Sequence, residues 1–289
     1  MTVLLHLSDT HFGTEQPVVL DALERLVREQ PPTLAVLSGD VTQRATRPQF
    51  AAARAWIDRL AIPQWAVIPG NHDIPLFDLR ARLFDPYGRY RAAMGPNLES
   101  VVDTPGFLVL THNTTRWYRH ENGEVSAEQT ARTAQALEAA RRIAPQQVRV
   151  VVVHQPVAVT RGADEANVLR GAEAAIARWS AAGADLVLAG HIHLPFVLPL
   201  HRTRPLPHPM WAVQAGTAVS SRVRPGAPNS VNLLHAECAS GHRRCRVERW
   251  NYSAAEQRFV LAQSDGLDLA VLGTVADART TPDGHRRHD

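Results

Sequence analysis

Short apolar runs that each end in Asp, Asn or His recur along the first two thirds of the chain. They are VLLHLSD (Val3 to Asp9), LAVLSGD (Leu34 to Asp40), QWAVIPGNHD (Gln64 to Asp73), VRVVVVH (Val148 to His154) and ADLVLAGHIH (Ala184 to His193). Each is rich in Val, Leu or Ile and bounded by Gly, Pro or polar residues, the pattern of strands buried on both faces. Between them, apolar positions recur at helical spacing and predict helices over Pro17–Glu29, Pro48–Leu60, Ser126–Ile143 and Gly171–Ala182. Ser126 and Gln129 have the spacing of a capping box, whose two side chains satisfy free amides of a first helical turn. Strands alternating with helices predict an α/β fold assembled from βα units.

Beyond Pro195 the texture changes. Prolines stand at 199, 205, 207 and 209, followed by the strand-like runs MWAVQAG, SVNLLHAEC, CRVERWNY and QRFVLAQ. These are expected to form a second, more antiparallel sheet. From Asp277 the polar sequence DARTTPDGHRRHD has no apolar period. The expected organisation is therefore one domain over residues 1–276 and a flexible tail over 277–289.

Composition narrows the classes. The 289 residues are 45% hydrophobic and 20% charged, ordinary for a globular chain able to bury a sizeable core. All 31 basic residues are arginine, and the net charge is +3. These arginines are interspersed with acids and form no basic run, so a nucleic-acid partner is not expected. No apolar run approaches the roughly 18 residues of a membrane span, and Met1-Thr2-Val3 leads into a strand without a charged leader. A cytoplasmic protein without a membrane partner is expected. In that compartment Cys238 and Cys245, on either side of a predicted hairpin turn, are expected to stay reduced. The oligomeric state is open, a dimer included.

The strand ends carry the candidate chemistry. Ligands of open α/β sheets bind at the carboxyl ends of strands. Asp9, His11, Asp40, Asn71, His72, Asp73, His154, His191 and His193 are thus expected to converge. Carboxylate, imidazole and amide oxygen without thiolate suit Mn, Fe or Zn in an open site rather than a closed structural zinc site. Seven of these residues (Asp9, His11, Asp40, Asn71, His154, His191, His193) exceed the needs of one catalytic ion and suit two. A carboxylate can span two ions, and Asp40 is the candidate bridge. Any one such histidine is more often a packing residue than a ligand; the ordered recurrence at successive strand ends argues otherwise. Of the remaining histidines only His112, ending LVLTH, rivals His154.

The ordered set Asp9-x-His11, Gly39-Asp40, Gly70-Asn71-His72-Asp73, His154 and Gly190-His191-x-His193 resembles the calcineurin-like metallophosphoesterase superfamily. The flanks SDTHF, SGDVTQ and PGNHD look most like its bacterial cyclic-nucleotide phosphodiesterase branch. The resemblance implies a four-layer α-β-β-α sandwich of two mixed sheets flanked by helices. It also implies one ion on Asp9, His11, Asp40 and His193, and a second on Asp40, Asn71, His154 and His191. His154 is thereby favoured over His112. His72 would be the catalytic proton donor or a phosphate contact, with Asp73 orienting the site from behind.

The implied activity is hydrolysis of a phosphodiester, a 3',5'-cyclic nucleotide among the candidates, by a hydroxide bridging two divalent ions. The same site would serve a phosphomonoesterase, a glycerophosphodiesterase or a nucleotide-sugar pyrophosphatase. Scaffold members of the superfamily that have lost metal chemistry would be expected to lack ligands present here. The donor-rich segment Asn113 to Ser126 is a candidate overhang, with Arg44, Asn113, Arg116, Arg119 and His120 as substrate contacts and Trp117 or Tyr118 as stacking groups. Ordinary solvated arginines beside packing aromatics account for that segment equally well.

Overall fold

The computed structural model describes residues 2–239 and 242–269; the tail expected over 277–289 lies outside them. The apolar run Thr2–Leu7 forms β1, with β2 (Leu34–Leu37) parallel beside it and β3 (Gln64–Val67) parallel beyond. The helices α1 (Pro17–Glu29) and α2 (Arg47–Leu60) connect them. Two short helices, α3 (Leu79–Phe84) and α4 (Gly88–Met94), lead on to a second sheet. This comprises β4 (Val101–Asp103), β5 (Phe107–Thr111), β6 (Val148–Val152), β7 (Leu186–Ala189), β8 (Phe196–Pro199) and β9 (Trp211–Gln214), in the order β4-β5-β6-β7-β9-β8. The helices α5 (Ala127–Ile143) and α6 (Ala172–Ala182) accompany it.

The strands after β9 depart from the sequence expectation. β10 (Ser230–Ala239), β11 (His242–Ser253) and β12 (Arg258–Leu269) do not make a sheet of their own. They extend the first sheet in the order β12-β11-β10-β1-β2-β3, with β10 antiparallel to β1. The run MWAVQAG goes elsewhere: its β9 lies parallel to β7 in the second sheet. Apolar alternation reports which faces are buried but not which neighbour a strand finds, and the amides along the free edge of β1 need one.

Alternate residues of each strand feed different layers, as a period of two requires. Leu5, Leu7, Ala35 and Leu37 pack outward under Leu23 of α1 and Phe50 and Trp56 of α2. Leu4, Leu34 and Val36 point inward and meet Val109, Val150, Val152 and Leu188 of the other sheet. On the far side Val151 and Val187 pack under Leu137 of α5 and Ile176 and Trp179 of α6. Two mixed sheets face each other between two helical layers, an α-β-β-α sandwich.

Ser126 caps α5 through the expected box: its Oγ accepts from Gln129 N at 3.1 Å, and Gln129 Oε1 accepts from Ser126 N at 3.0 Å. At the amino end of β7 a buried charge cluster ties the sheets. Asp185 accepts from Arg149 and from His208 of its own side, at 3.2 and 3.0 Å, and from Arg243 of β11 across the gap. Cys245 is a free thiol in the inter-sheet layer, its pKa pushed up by burial; the register sets Ala236 opposite it and Cys238 opposite Arg243. Among the described residues, no helix is long and apolar enough to cross a membrane.

Candidate metal centre

The carboxyl ends of β1, β2, β6 and β7 meet where the two sheets come together, and there the backbone turns sharply. Asp9, His11, Asp40, His191 and His193 have φ of 53°, 43°, 50°, 73° and 55°, a left-handed region that costs residues with a side chain. Such strain persists only where surrounding structure enforces it, and it concentrates at functional sites. Here it is confined largely to the chemistry-bearing residues. Two glycines let the turns touch. A Cβ at Gly39, whose φ is +104°, would lie 2.3 Å from His154 Nδ1, and one at Gly190 would lie 2.5 Å from Asp9 Oδ2.

Backbone bonds lock the turns together. Asp9 N donates to Gly39 O at 3.1 Å, His11 N to Asp40 O at 2.9 Å, and Gly190 N to His154 O at 2.9 Å. Asp9 Oδ2 accepts from His191 N at 2.9 Å, joining an end of the first sheet to an end of the second.

The side chains then gather into groups whose ligand atoms lie within 4.8 Å of one another: Asp9, His11 and His193 in one, and Asp40, His154 and His191 in another. Asn71 Oδ1 joins the second group, 3.2 Å from His154 Nε2. Asp40 stands between them, with Oδ2 3.7 Å from His11 Nε2 and Oδ1 3.4 Å from His154 Nε2.

The ring tautomers show what this arrangement accepts. His154 Nδ1 lies 2.8 Å from Ser38 O and His193 Nδ1 lies 2.6 Å from Arg222 O, so both rings donate there and turn Nε2 inward. A second ring nitrogen held by a carbonyl is the usual support of a metal-ligating histidine. Inward-facing Nε2 atoms of His11 and His193 are 3.1 Å apart, and the buried Asp9 Oδ1 faces both, 3.7 and 3.1 Å away. Lone pairs and carboxylate oxygens thus point at common centres, and the donor set fits divalent cations.

Protonation follows the same logic. Burial lowers the His154 pKa, but the Asp40 carboxylate outweighs it and raises the ring to about 9. For His193 burial is likewise outweighed, by Asp9, and the pKa rises. Burial dominates at His11 and His191 and lowers them to about 3 and about 4. Asp40 falls well below the carboxylate range because His154 overcomes the cost of burying its charge. The site concentrates buried carboxylate oxygens and ring nitrogens in one place.

A family model described as calcineurin-like phosphoesterase matches residues 2–195, which contain every one of these residues. The chain belongs to that family. Among solved structures, purple acid phosphatase PPD1 from yellow lupin (Lupinus luteus) seeds is similar over 92% of this chain and 53% of its own, with TM-score 0.63 and 13% identity. This phosphoesterase-family chain therefore spans about half the length of that protein. Vps29 of Chaetomium thermophilum covers 96% of this chain and 100% of its own at TM-score 0.46 and 11% identity. Vps29 of Entamoeba histolytica complexed with Zn+2 covers 92% and 99% at TM-score 0.47 and 13% identity. At such identities the likeness concerns the fold alone. No curated protein matches in sequence.

Within the family's site, the remaining expected residues separate. His72 lies at the rim, its ring 4.9 Å from that of His11, with Nδ1 3.0 Å from Gln43 O. Asp73 is buried and accepts from Val41 N, Thr42 N, Thr42 Oγ1 and Gly70 N at 2.8–3.0 Å. It fixes the turns carrying Asp40 and Asn71; burial and the Asp40 charge push its pKa up to about 7. Arg44 and His120 line a narrow cleft beside His72.

Asn113 and Arg116 are not brought to the main cavity. Asn113 Oδ1 accepts from Thr115 Oγ1 at 2.6 Å, and Arg116 donates to Asn113 O, Thr115 O and Gln129 Oε1. They are consumed in shaping the loop before α5. Arg119 bridges to Glu124 at 3.3 Å, while Trp117 and Tyr118 lie exposed against each other. His112 turns away too, 2.5 Å from Thr133 Oγ1 and stacked on Trp179.

A cavity of about 510 Å³ opens over the centre, lined by Asp40, Asn71, His72, His191 and His193 together with Arg222, Arg224, Glu121 and Asp164. Arg222 and Arg224 escaped the sequence reading. They lie in an irregular segment where an arginine carries no periodic signal, in a chain whose basic residues are all arginine.

Proposed function

We propose that the protein is a two-metal phosphoester hydrolase acting on small phosphodiesters, with 3',5'-cyclic nucleotides the first class to test. The observation that carries this reading is the position of Asp40, with one carboxylate oxygen toward His11 and the other toward His154. Asp9, His11, Asp40 and His193 would hold one divalent ion, and Asp40, Asn71, His154 and His191 the other; Mn, Fe and Zn all suit these donors. Such a pair supplies Lewis-acid charge to a phosphoryl group and an activated water for in-line attack.

The protein's own groups supply the rest. Ser38 O and Arg222 O fix the rings of His154 and His193 through Nδ1, so that their Nε2 atoms need no reorganisation. His72 at the rim is the group placed to protonate a leaving alkoxide. The cavity of about 510 Å³ is within the range of small-molecule sites. A full donor set with supported tautomers argues against a scaffold that has discarded its chemistry.

A manganese-loaded activity panel tests the reading. Specificity constants for cyclic nucleotides, linear diesters, a nucleotide-sugar pyrophosphate and monoesters are expected to be highest among the diesters. Turnover of monoesters alone would overturn the diester assignment.

A further inference from the structure

Arg222 is anchored at its backbone and weakly committed at its side chain. Its carbonyl accepts from His193 Nδ1 at 2.6 Å and from Thr217 Oγ1 at 3.1 Å, and its amide donates to Ser220 Oγ at 3.3 Å. The neighbouring Ser221 N donates to Thr14 O at 2.9 Å, pinning this segment to the loop after β1. The position of the guanidinium's root is therefore set by the same contacts that set His193.

The guanidinium itself reaches across the cavity. Nη1 donates to Gln43 Oε1 at 2.9 Å and to His72 Nε2 at 3.2 Å. These contacts are an amide oxygen and a ring nitrogen, and neither is a carboxylate. Among the described residues no carboxylate pairs with Arg222. Arg224, two residues on and also lining the cavity, provides the contrast: it is committed to Asp164 Oδ1 at 2.9 Å and Ile192 O at 3.2 Å.

We propose that Arg222 is the substrate-anion contact of this site, leaving Gln43 and His72 to take a non-bridging phosphoryl oxygen. The proposal rests on the phosphoester-hydrolase reading and names the residue that reads the substrate's charge. An anionic phosphoryl oxygen offers the guanidinium a full opposite charge and bidentate geometry that the Gln43 amide and the His72 ring do not, which supplies the drive for the exchange. The exchange also uncovers His72 Nε2, the ring atom turned to the cavity. One short segment serves both functions, its carbonyl holding a candidate metal ligand and its side chain holding the phosphate.

The test compares wild type with Arg222→Gln and Arg222→Lys, each loaded with manganese. Metal content, calorimetric affinity for inorganic phosphate, and KM and kcat on the best diester are measured. Arg222→Gln is expected to keep its metal, because the backbone carbonyl and not the side chain supports His193. Its phosphate Kd and diester KM are expected to rise about 10–100-fold, with part of the loss restored in Arg222→Lys. Unchanged phosphate affinity and KM in Arg222→Gln, beside an active wild type, would overturn the proposal while leaving the hydrolase reading intact. Loss of metal from Arg222→Gln would overturn it too. A wild type that binds phosphate through Arg222 but hydrolyses no ester would support the anion contact and sink the hydrolase reading.

Discussion

His11 Nε2 and His193 Nε2 lie 3.1 Å apart, although one follows a strand of the first sheet and the other a strand of the second. With His193 Nδ1 committed to Arg222 O, both Nε2 atoms face one centre. His191 faces the other group, its ring 5.1 Å from that of His154. The two histidines of AGHIH therefore belong to different groups of candidate ligands, and under the two-metal reading each would hold a different ion. Elemental analysis of wild type is expected to give about two metal equivalents, and His193→Ala and His191→Ala about one each. Loss of both ions from either variant would show one cooperative centre instead.

Asp40 and Asp73 are both buried acids but do different work. Asp40 faces both histidine groups, while Asp73 spends its oxygens on amides of Val41, Thr42 and Gly70. Asp40→Asn is expected to lose both metals and at least roughly 100-fold in turnover, whereas Asp73→Asn is expected to retain metal with activity lowered about 10–100-fold. Equal metal loss in the two would remove the distinction.

Glu99 gives a pH signature outside the candidate metal centre. Burial would raise its pKa, but the His112 ring 3.7 Å away and a 2.6 Å hydrogen bond from Gln129 Nε2 outweigh it and hold it at about 2, below its ordinary 4.5. A depressed carboxyl contributes stability that is fully present above pH 4.5 and fades as pH falls toward 2. Urea unfolding is expected to find Glu99→Gln less stable than wild type by roughly 1–2 kcal/mol at pH 7. That gap is expected to hold down to about pH 4.5 and close below it; a gap that widens in acid would contradict the assignment.

At the opposite end of the strands, Asp185 joins Arg149, His208 and Arg243 in a cluster that spans both sheets. Asp185→Asn removes the carboxylate that faces the buried Arg149 guanidinium, and a loss of about 3–5 kcal/mol in unfolding free energy is expected. Activity per folded molecule should be unaffected, because the cluster lies at the amino end of β7 and the candidate metal ligands at its carboxyl end. A mild destabilisation would mean that water or His208 screens the cluster.

Much of this site was legible because strand ends and metal donors coincide in the sequence. The helix limits were legible for local reasons: Pro17 opens α1, and the Ser126 and Gln129 side chains form the box that starts α5. What was not legible depends on partners distant in sequence. Nothing in SVNLLHAEC says that it pairs with β1, and nothing in LVLTH says that His112 turns toward Trp179 while His154 turns toward Ser38. Donor-rich composition suggested Asn113 and Arg116 as substrate contacts, yet loop geometry had already engaged their polar atoms. Arg222 had the reverse fate, since its value comes from Thr14, His72 and His193, none of them near it in sequence.

The most direct measurement is hydrolysis of bis(p-nitrophenyl) phosphate by the purified protein before chelation, after chelation, and after manganese is returned. The account predicts turnover that disappears with the metal and recovers as about two equivalents are bound per chain. Turnover that survives complete removal of metal, or a fully loaded protein that cleaves no phosphoester, would contradict it.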